Sequence, residues 1–298
     1  MRIDVHQHLW PEPLIDALRR RTEPPRLDGW VLHTASAPPY QVDPADHDVA
    51  ARAALVEAEG LDQALLSLSS PLGIEYLPPA ECAPLLAAYH AGLAALPGCF
   101  GGWAAAGLAQ IDVPALEHAL EGGCVGLQLP ADTLLDQAGY DRCGPLLAAL
   151  ERRDAPLFVH PGPHPAPPAG APDWWPAVST YVHQMHDAWY AFAAFGRARH
   201  PRLRVCFALL AGLAPLHGER LAARGGAAYR RGRVDPDAFV ETSSYGPRAI
   251  DATVRVLGVD VVVLGSDRPY ATQSDPGLGA AFAQALAATN PRRLLTGK

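Results

Sequence analysis

The chain has 298 residues, 49% of them hydrophobic, with 24 Lys+Arg against 31 Asp+Glu and a formal charge of −7. That is enough apolar material for one large core, and the acidic balance argues against a nucleic-acid footprint or adhesion to an anionic membrane. Five cysteines, Cys82, Cys99, Cys124, Cys143 and Cys206, are scattered without close pairs, which reads as reduced thiols instead of a disulfide frame or zinc ribbon. No apolar run reaches the roughly 18 residues of a membrane span, and no apolar segment of the signal-peptide kind follows Met1-Arg2. The expectation is a soluble cytoplasmic protein whose partner is a small molecule, with no nucleic acid and no membrane.

Strand-like runs alternate with helical ones along the chain. Residues 3–5 read as the first strand and 11–21 as its helix, with proline near the start. A Pro- and Gly-rich loop over 22–46 is long enough to cover something. Residues 50–59 then lead to a second strand at 63–68, and a helix over 79–96 to a third at 99–103. Asp112 is a helix N-cap with Pro114 just inside, opening a helix to Glu121. The fourth strand is 125–129, the helix after it 140–153, and the fifth strand 157–160. Beyond a proline-rich loop (161–172) comes a helical run over 177–199 and a sixth strand at 203–208. A helix ending near Arg224 and a basic turn at Arg230, Arg231 and Arg233 precede the seventh strand, 239–242. Pro247 opens the next helix, the eighth strand is 260–265, and Asp275-Pro276 caps a closing helix that ends near Ala288. Eight short apolar strands alternating with helices indicate parallel βαβ units. In a chain of this length they most simply close into a single-domain (β/α)8 barrel spanning 1–298. An open doubly wound sheet is the runner-up, but no Gly-x-Gly-x-x-Gly follows the first strand.

Barrel enzymes gather their chemistry at the carboxyl ends of the strands. Here the first strand runs into His6 and His8, two residues apart and therefore on one face. The fifth ends in His160, and the eighth in Leu264-Gly265-Ser266-Asp267. Three imidazoles and one carboxylate at one rim are a donor set for a divalent cation, with zinc the natural candidate. Trp10, Trp103, Gln128, Tyr245, Arg268 and Tyr270 lie at or just past strand ends and are candidate substrate contacts, Arg268 as a bidentate fork for a carboxylate. The aromatic cluster Trp174, Trp175, Tyr181, Trp189, Tyr190, Phe192 and Phe195 suits core packing in part and a homodimer interface in part.

The stretches Ile3-Asp4-Val5-His6-Gln7-His8, Phe158-Val159-His160-Pro161 and Leu264-Gly265-Ser266-Asp267-Arg268-Pro269-Tyr270 resemble signatures of the amidohydrolase superfamily. The nearest likeness is to the branch containing aminocarboxymuconate-semialdehyde decarboxylase. The resemblance spans nearly the whole chain, including the run 199–208, and implies a metal-dependent TIM barrel that hydrolyses C–N or C–O bonds or releases carbon dioxide. Carried across, His6, His8, His160 and Asp267 would be the metal ligands, with Asp267 also the catalytic acid–base group. Two-metal members use a carboxylated lysine as a bridge. Lys298 is the only lysine here, so one ion is expected. The chain departs from the family pattern after the sixth strand, where Phe207-Ala208-Leu209-Leu210-Ala211-Gly212 stands in place of Phe-Ala-His-Gly-Gly-Gly. Leu209 has neither a proton to give nor a lone pair, so Asp267 is left as the substitute base. A second reading is therefore kept: a barrel with altered chemistry, either a metal-free lyase or cyclase or a ligand-binding pseudo-enzyme.

Overall fold

A computed structural model of the chain describes residues 1–35, 37–225, 234–273 and 275–298. Strand β1 (Ile3–Gln7) opens the chain. β2 (Arg26–Asp28), β3 (Val31–His33) and β4 (Tyr40–Gln41) then form a small antiparallel sheet of their own. The parallel strands continue with β5 (Gln63–Leu66), β6 (Phe100–Gly102), β7 (Leu127–Pro130), β8 (Leu157–His160), β9 (Val205–Phe207), β10 (Ala238–Glu241) and β11 (Val262–Val263). One arc pairs β1, β5 and β6, and the other pairs β7 to β11 in sequence order. Backbone hydrogen bonds close both seams. Ala104 N–H donates to Gly126 O at 2.8 Å and Gln128 N–H to Ala104 O at 2.8 Å between the arcs. At the other seam Val5 N–H donates to Leu264 O at 2.8 Å and Asp267 N–H to His6 O at 2.9 Å. The eight expected strands are thus present in one closed barrel. Buried on both faces, they read as continuous apolar runs such as Leu157, Phe158 and Val159, all at 1% exposure or less.

The outer helices start where side-chain caps allow. Asp48, Asp112 and Asp136 each accept a backbone N–H at the mouths of α2 (Val49–Ala58), α4 (Val113–Glu121) and α5 (Gln137–Arg153), while α1 (Glu12–Arg19) and α3 (Pro79–Ala94) start on prolines. The run expected over 177–199 is a compound helix. A π-helical turn (Pro176–Thr180) leads into α6 (Tyr181–Ala191), and a second (Phe192–Gly196) ends it. α7 (Gly218–Arg224) and α8 (Pro247–Leu257) follow. The basic turn at Arg230, Arg231 and Arg233 lies outside the described residues. The closing helix differs from expectation. Asp275 makes a turn by accepting Gly277 N–H at 2.9 Å, so the helix begins only at α9 (Ala280–Gln284) and runs through a π turn into α10 (Asn290–Thr296). No helix among the described residues is long and apolar enough to cross a membrane.

The supposed loop at 22–46 is partly sheet: β2 to β4 lie within it. Its strands are too short and too broken by proline to show alternation. A ring stack ties this sheet to the barrel. His47 lies 4.4 Å from Trp10 and 6.0 Å from Trp30, near-parallel to both, and the Arg19 guanidinium sits over the Trp30 ring at 5.1 Å. His47 Nδ1 also accepts the Trp10 backbone N–H at 3.0 Å. It does so as the neutral imidazole, because burial first, then the Arg52 and His8 charges, push its pKa down to about 4.

Candidate metal centre

The histidines of β1 are aimed by acceptors on their outer nitrogens. His6 Nδ1 lies 3.0 Å from Glu241 Oε1, His8 Nδ1 3.0 Å from Ser67 O, and His160 Nδ1 2.8 Å from Pro161 O. An acceptor at Nδ1 holds the proton there and turns the Nε2 lone pair inward, the arrangement that makes imidazole a ligand. The inner atoms converge. His6 Nε2 and His8 Nε2 are 3.0 Å apart, Asp267 Oδ1 is 3.5 Å from the first and 3.2 Å from the second, and one donor atom from each of His6, His8, His160 and Asp267 lies within 4.8 Å of the rest. Two imidazole lone pairs facing each other at 3.0 Å repel unless a cation lies between them. Donors ~2.0–2.1 Å from one ion stand about 3 Å apart, so the residues present fit a single divalent cation.

The electrostatics agree with that fit. Burial above all, then the neighbouring rings, keeps His160 well below the ordinary imidazole pKa, and burial lowers His8 too. Burial opposes the charge on Asp267, but His6, His8 and His160 together outweigh it and hold the carboxyl below its usual range. His6 goes the other way: burial lowers its pKa, yet Glu241 and Asp267 overcome this and raise it. A proton on His6 therefore competes with a cation for the same centre.

The loop carrying Asp267 is locked to β1. Asp4, fully buried, accepts His6 N–H at 3.0 Å, Ser266 N–H at 3.1 Å and the Gln7 amide at 2.8 Å. Asp267 itself has a left-handed backbone, φ 59°, which aspartate tolerates better than most residues. Glu241, the last residue of β10, was missed in the sequence. The signal was available, since a carboxylate ends the buried run Ala238–Val240 and charge is almost never fully buried without partners. Its partners are His6, Ser243 through both N–H (2.5 Å) and Oγ (2.6 Å), and the Leu209 N–H at 2.8 Å. Gly265 makes room for it, because a Cβ there would collide with the Glu241 carboxylate.

Leu209 begins an unusual segment. Five consecutive residues from Leu209 to Leu213 have φ between 47° and 61°, and only Gly212 is a glycine. A left-handed backbone costs roughly 1–2 kcal/mol for each non-glycine residue. The turn is held by burial of Leu209, Leu210 and Ala211 and by Tyr190 OH donating to Ala214 O at 2.8 Å. It presses so closely on α6 that a Cβ on Gly212 would meet the Val182 carbonyl oxygen.

Above the cluster opens a cavity of about 620 Å³. Of the expected contacts, Trp10, Tyr245 and Tyr270 line it, with His6, His8, His160, Asp267 and Leu209. Three others do not. Trp103 is fully buried beneath the site, stacked on Phe158 at 5.2 Å and donating Nε1–H to Val5 O at 2.9 Å, so it forms the floor of the barrel. Gln128 is also buried and spends its amide on Leu68 O (2.8 Å) and Ser70 Oγ (2.6 Å). Arg268 turns away to ion-pair with Glu59 at the end of α2. The aromatic cluster is divided as well. Trp189 and Phe192 pack on Phe207, Tyr181 lines the cavity, and Trp174, 56% exposed, stacks on Trp175 at the surface.

No family model and no curated relative matches the sequence. Solved structures do match in fold. IDCase of Metarhizium anisopliae superposes with a TM-score of 0.77 at 17% identity, covering 99% of this chain and 97% of that one. A 5-carboxyvanillate decarboxylase of Novosphingobium aromaticivorans, complexed with manganese and 4-hydroxy-3-methoxy-5-nitrobenzoic acid, gives 0.76 at 20% identity, over 99% and 96%. The 2,6-dihydroxybenzoate decarboxylase from Rhizobium gives 0.71 at 18%, over 99% and 98%. From end to end, then, this chain has the barrel fold of those decarboxylases, with a cluster of three histidines and an aspartate at its rim.

Proposed function

We propose that this protein is a carboxy-lyase of the amidohydrolase kind, removing carbon dioxide from a small aromatic acid with one divalent cation held by His6, His8, His160 and Asp267. The observation that carries the reading is the make-up of the cavity. It joins a four-donor cluster to a wall of aliphatic and aromatic side chains with neutral hydroxyls between them, and Asp267 is the one carboxylate among its described lining residues. When bound, the cation supplies positive charge that anchors the substrate's carboxylate and spreads the negative charge left as the C–C bond breaks. Breaking that bond releases carbon dioxide and leaves an electron pair on the ring carbon, which must receive one proton. Asp267, ionised at rest, takes that proton from a ring hydroxyl or from solvent and delivers it to the carbon. Leu209 at the wall can neither give nor accept one.

Trp10, Tyr245 and Tyr270 would grip the ring. Zinc and manganese both suit three imidazoles with a carboxylate, and the manganese of the N. aromaticivorans neighbour widens the expectation beyond zinc. A cytoplasmic setting, supported by five free cysteines, and a homodimer through the face bearing Trp174 and Trp175 complete the reading. Its test is elemental analysis of the purified protein together with carbon dioxide release from hydroxybenzoates. About one divalent ion per chain and measurable release are expected. Protein that retains no ion at neutral pH, and liberates no carbon dioxide after zinc or manganese is supplied, overturns it.

A further inference from the structure

We propose that this cavity selects aromatic monocarboxylates and rejects rings bearing a second carboxylate. The inference rests on the carboxy-lyase reading for the place of the reacting carboxylate, which sits at the histidine–aspartate cluster. The four-donor cluster is the part of the described lining that could present positive charge, through a cation held there, and Asp267 together with the buried Glu241 behind His6 already offsets that charge. The rest of the wall is built to receive uncharged surface. Leu32, Pro38, Leu72, Val178, Val182 and Leu209 supply aliphatic side chains. The polar side chains between them include Thr34, Tyr40, Ser69, Tyr181, Ser244, Tyr245 and Tyr270, whose uncharged hydroxyls suit a ring hydroxyl or ether oxygen.

Among the described residues, Arg52 and Arg268, which border this rim, are held by other partners. Arg52 gives Nη1 to His8 O at 2.8 Å and Asp46 O at 2.9 Å, and Nη2 to Gln7 Oε1 at 2.6 Å. Arg268 is held by Glu59. His164 also lines the cavity, but its Nδ1 lies 2.8 Å from Pro165 O. None of the described lining residues is Lys or Arg. A second carboxylate on the ring would meet aliphatic groups and neutral hydroxyls but no guanidinium or ammonium among the described lining residues, so its lost hydration would be only partly replaced.

The experiment is calorimetric titration of the zinc- or manganese-loaded protein with benzoate and with isophthalate at pH 8. Isophthalate is expected to bind about 30-fold more weakly than benzoate, or worse. The Val178→Arg variant changes an exposed wall residue and puts a guanidinium at the mouth. It should raise the isophthalate-to-benzoate affinity ratio by about tenfold. Isophthalate binding as tightly as benzoate, or a ratio unmoved by V178R, overturns the inference while leaving the carboxy-lyase reading in place. Failure of both acids to bind overturns that reading, and the inference with it.

Discussion

The rims after β1 and after β9 both border the site and are built in opposite ways. The β1 rim is polar and unstrained. Within five residues Asp4, Gln7 and the two histidines fasten one another, the Ser266–Asp267 turn and Arg52 through hydrogen bonds of ordinary length. The β9 rim is apolar and strained, a left-handed turn of leucine and alanine that offers the site one backbone N–H, from Leu209 to Glu241. The first supplies two of the four side chains proposed to hold the cation, while the second supplies shape and steadies the group that steadies His6. The difference teaches that strain of this kind marks a constrained site even where the side chains carry no chemistry of their own.

The largest effect should come from breaking the β1–β8 ligand set. His160→Ala is expected to weaken metal binding by about a hundredfold or more, read by chelator competition, with the fold retained by circular dichroism. Next is the β9 turn. Gly212→Ala drives a methyl into the Val182 carbonyl and should cost about 3 kcal/mol in urea unfolding. Ala211→Gly should stay within about 1 kcal/mol of wild type, since relief of the left-handed backbone offsets the lost methyl. A large loss in A211G would show that the turn is not strained as described.

Glu241→Gln joins the two rims. It keeps an acceptor but loses the charge facing His6, and should lower metal affinity by about tenfold to a hundredfold. Unchanged affinity would separate the β9 rim from the centre altogether. The smallest effect is a pH dependence on the β1 side. His47 has its pKa lowered from 6.5 to about 4, so within that window the unfolded chain binds a proton that the folded chain refuses. Stability from this residue is whole above pH 6.5 and drains away as the pH falls toward 4, by on the order of 2 kcal/mol. His90, also pushed down to about 4 by burial and His118, acts in the same direction. The diagnostic is therefore a shallower acid slope in His47→Phe than in wild type, measured by urea titration at several pH values.

The barrel and its four converging side chains were legible in the sequence because both rest on short-range pattern. Apolar strand runs are visible in any window, and alternation puts His6 and His8 on one face. What escaped needed long-range information. Arg268 finds Glu59 from 209 residues away, and Trp103 crosses the barrel to Val5, so neither could be told from a substrate contact by position at a strand end. Gln128 looked like a rim residue, but its amide is consumed by the loop after β5. The small sheet hid behind prolines. Leu209 was noticed for the side chain it lacks, whereas its backbone N–H to Glu241 and the left-handed turn it starts have no signature in residue type.

The sheet β2–β4 adds Leu32 and Tyr40 to the cavity wall from a segment inserted between α1 and α2. It touches the centre through the Trp30–His47–Trp10 stack, with no part in the ligand set. A substitution at Leu32 or Tyr40 would thus reshape the cavity wall without removing any side chain of the four-donor cluster.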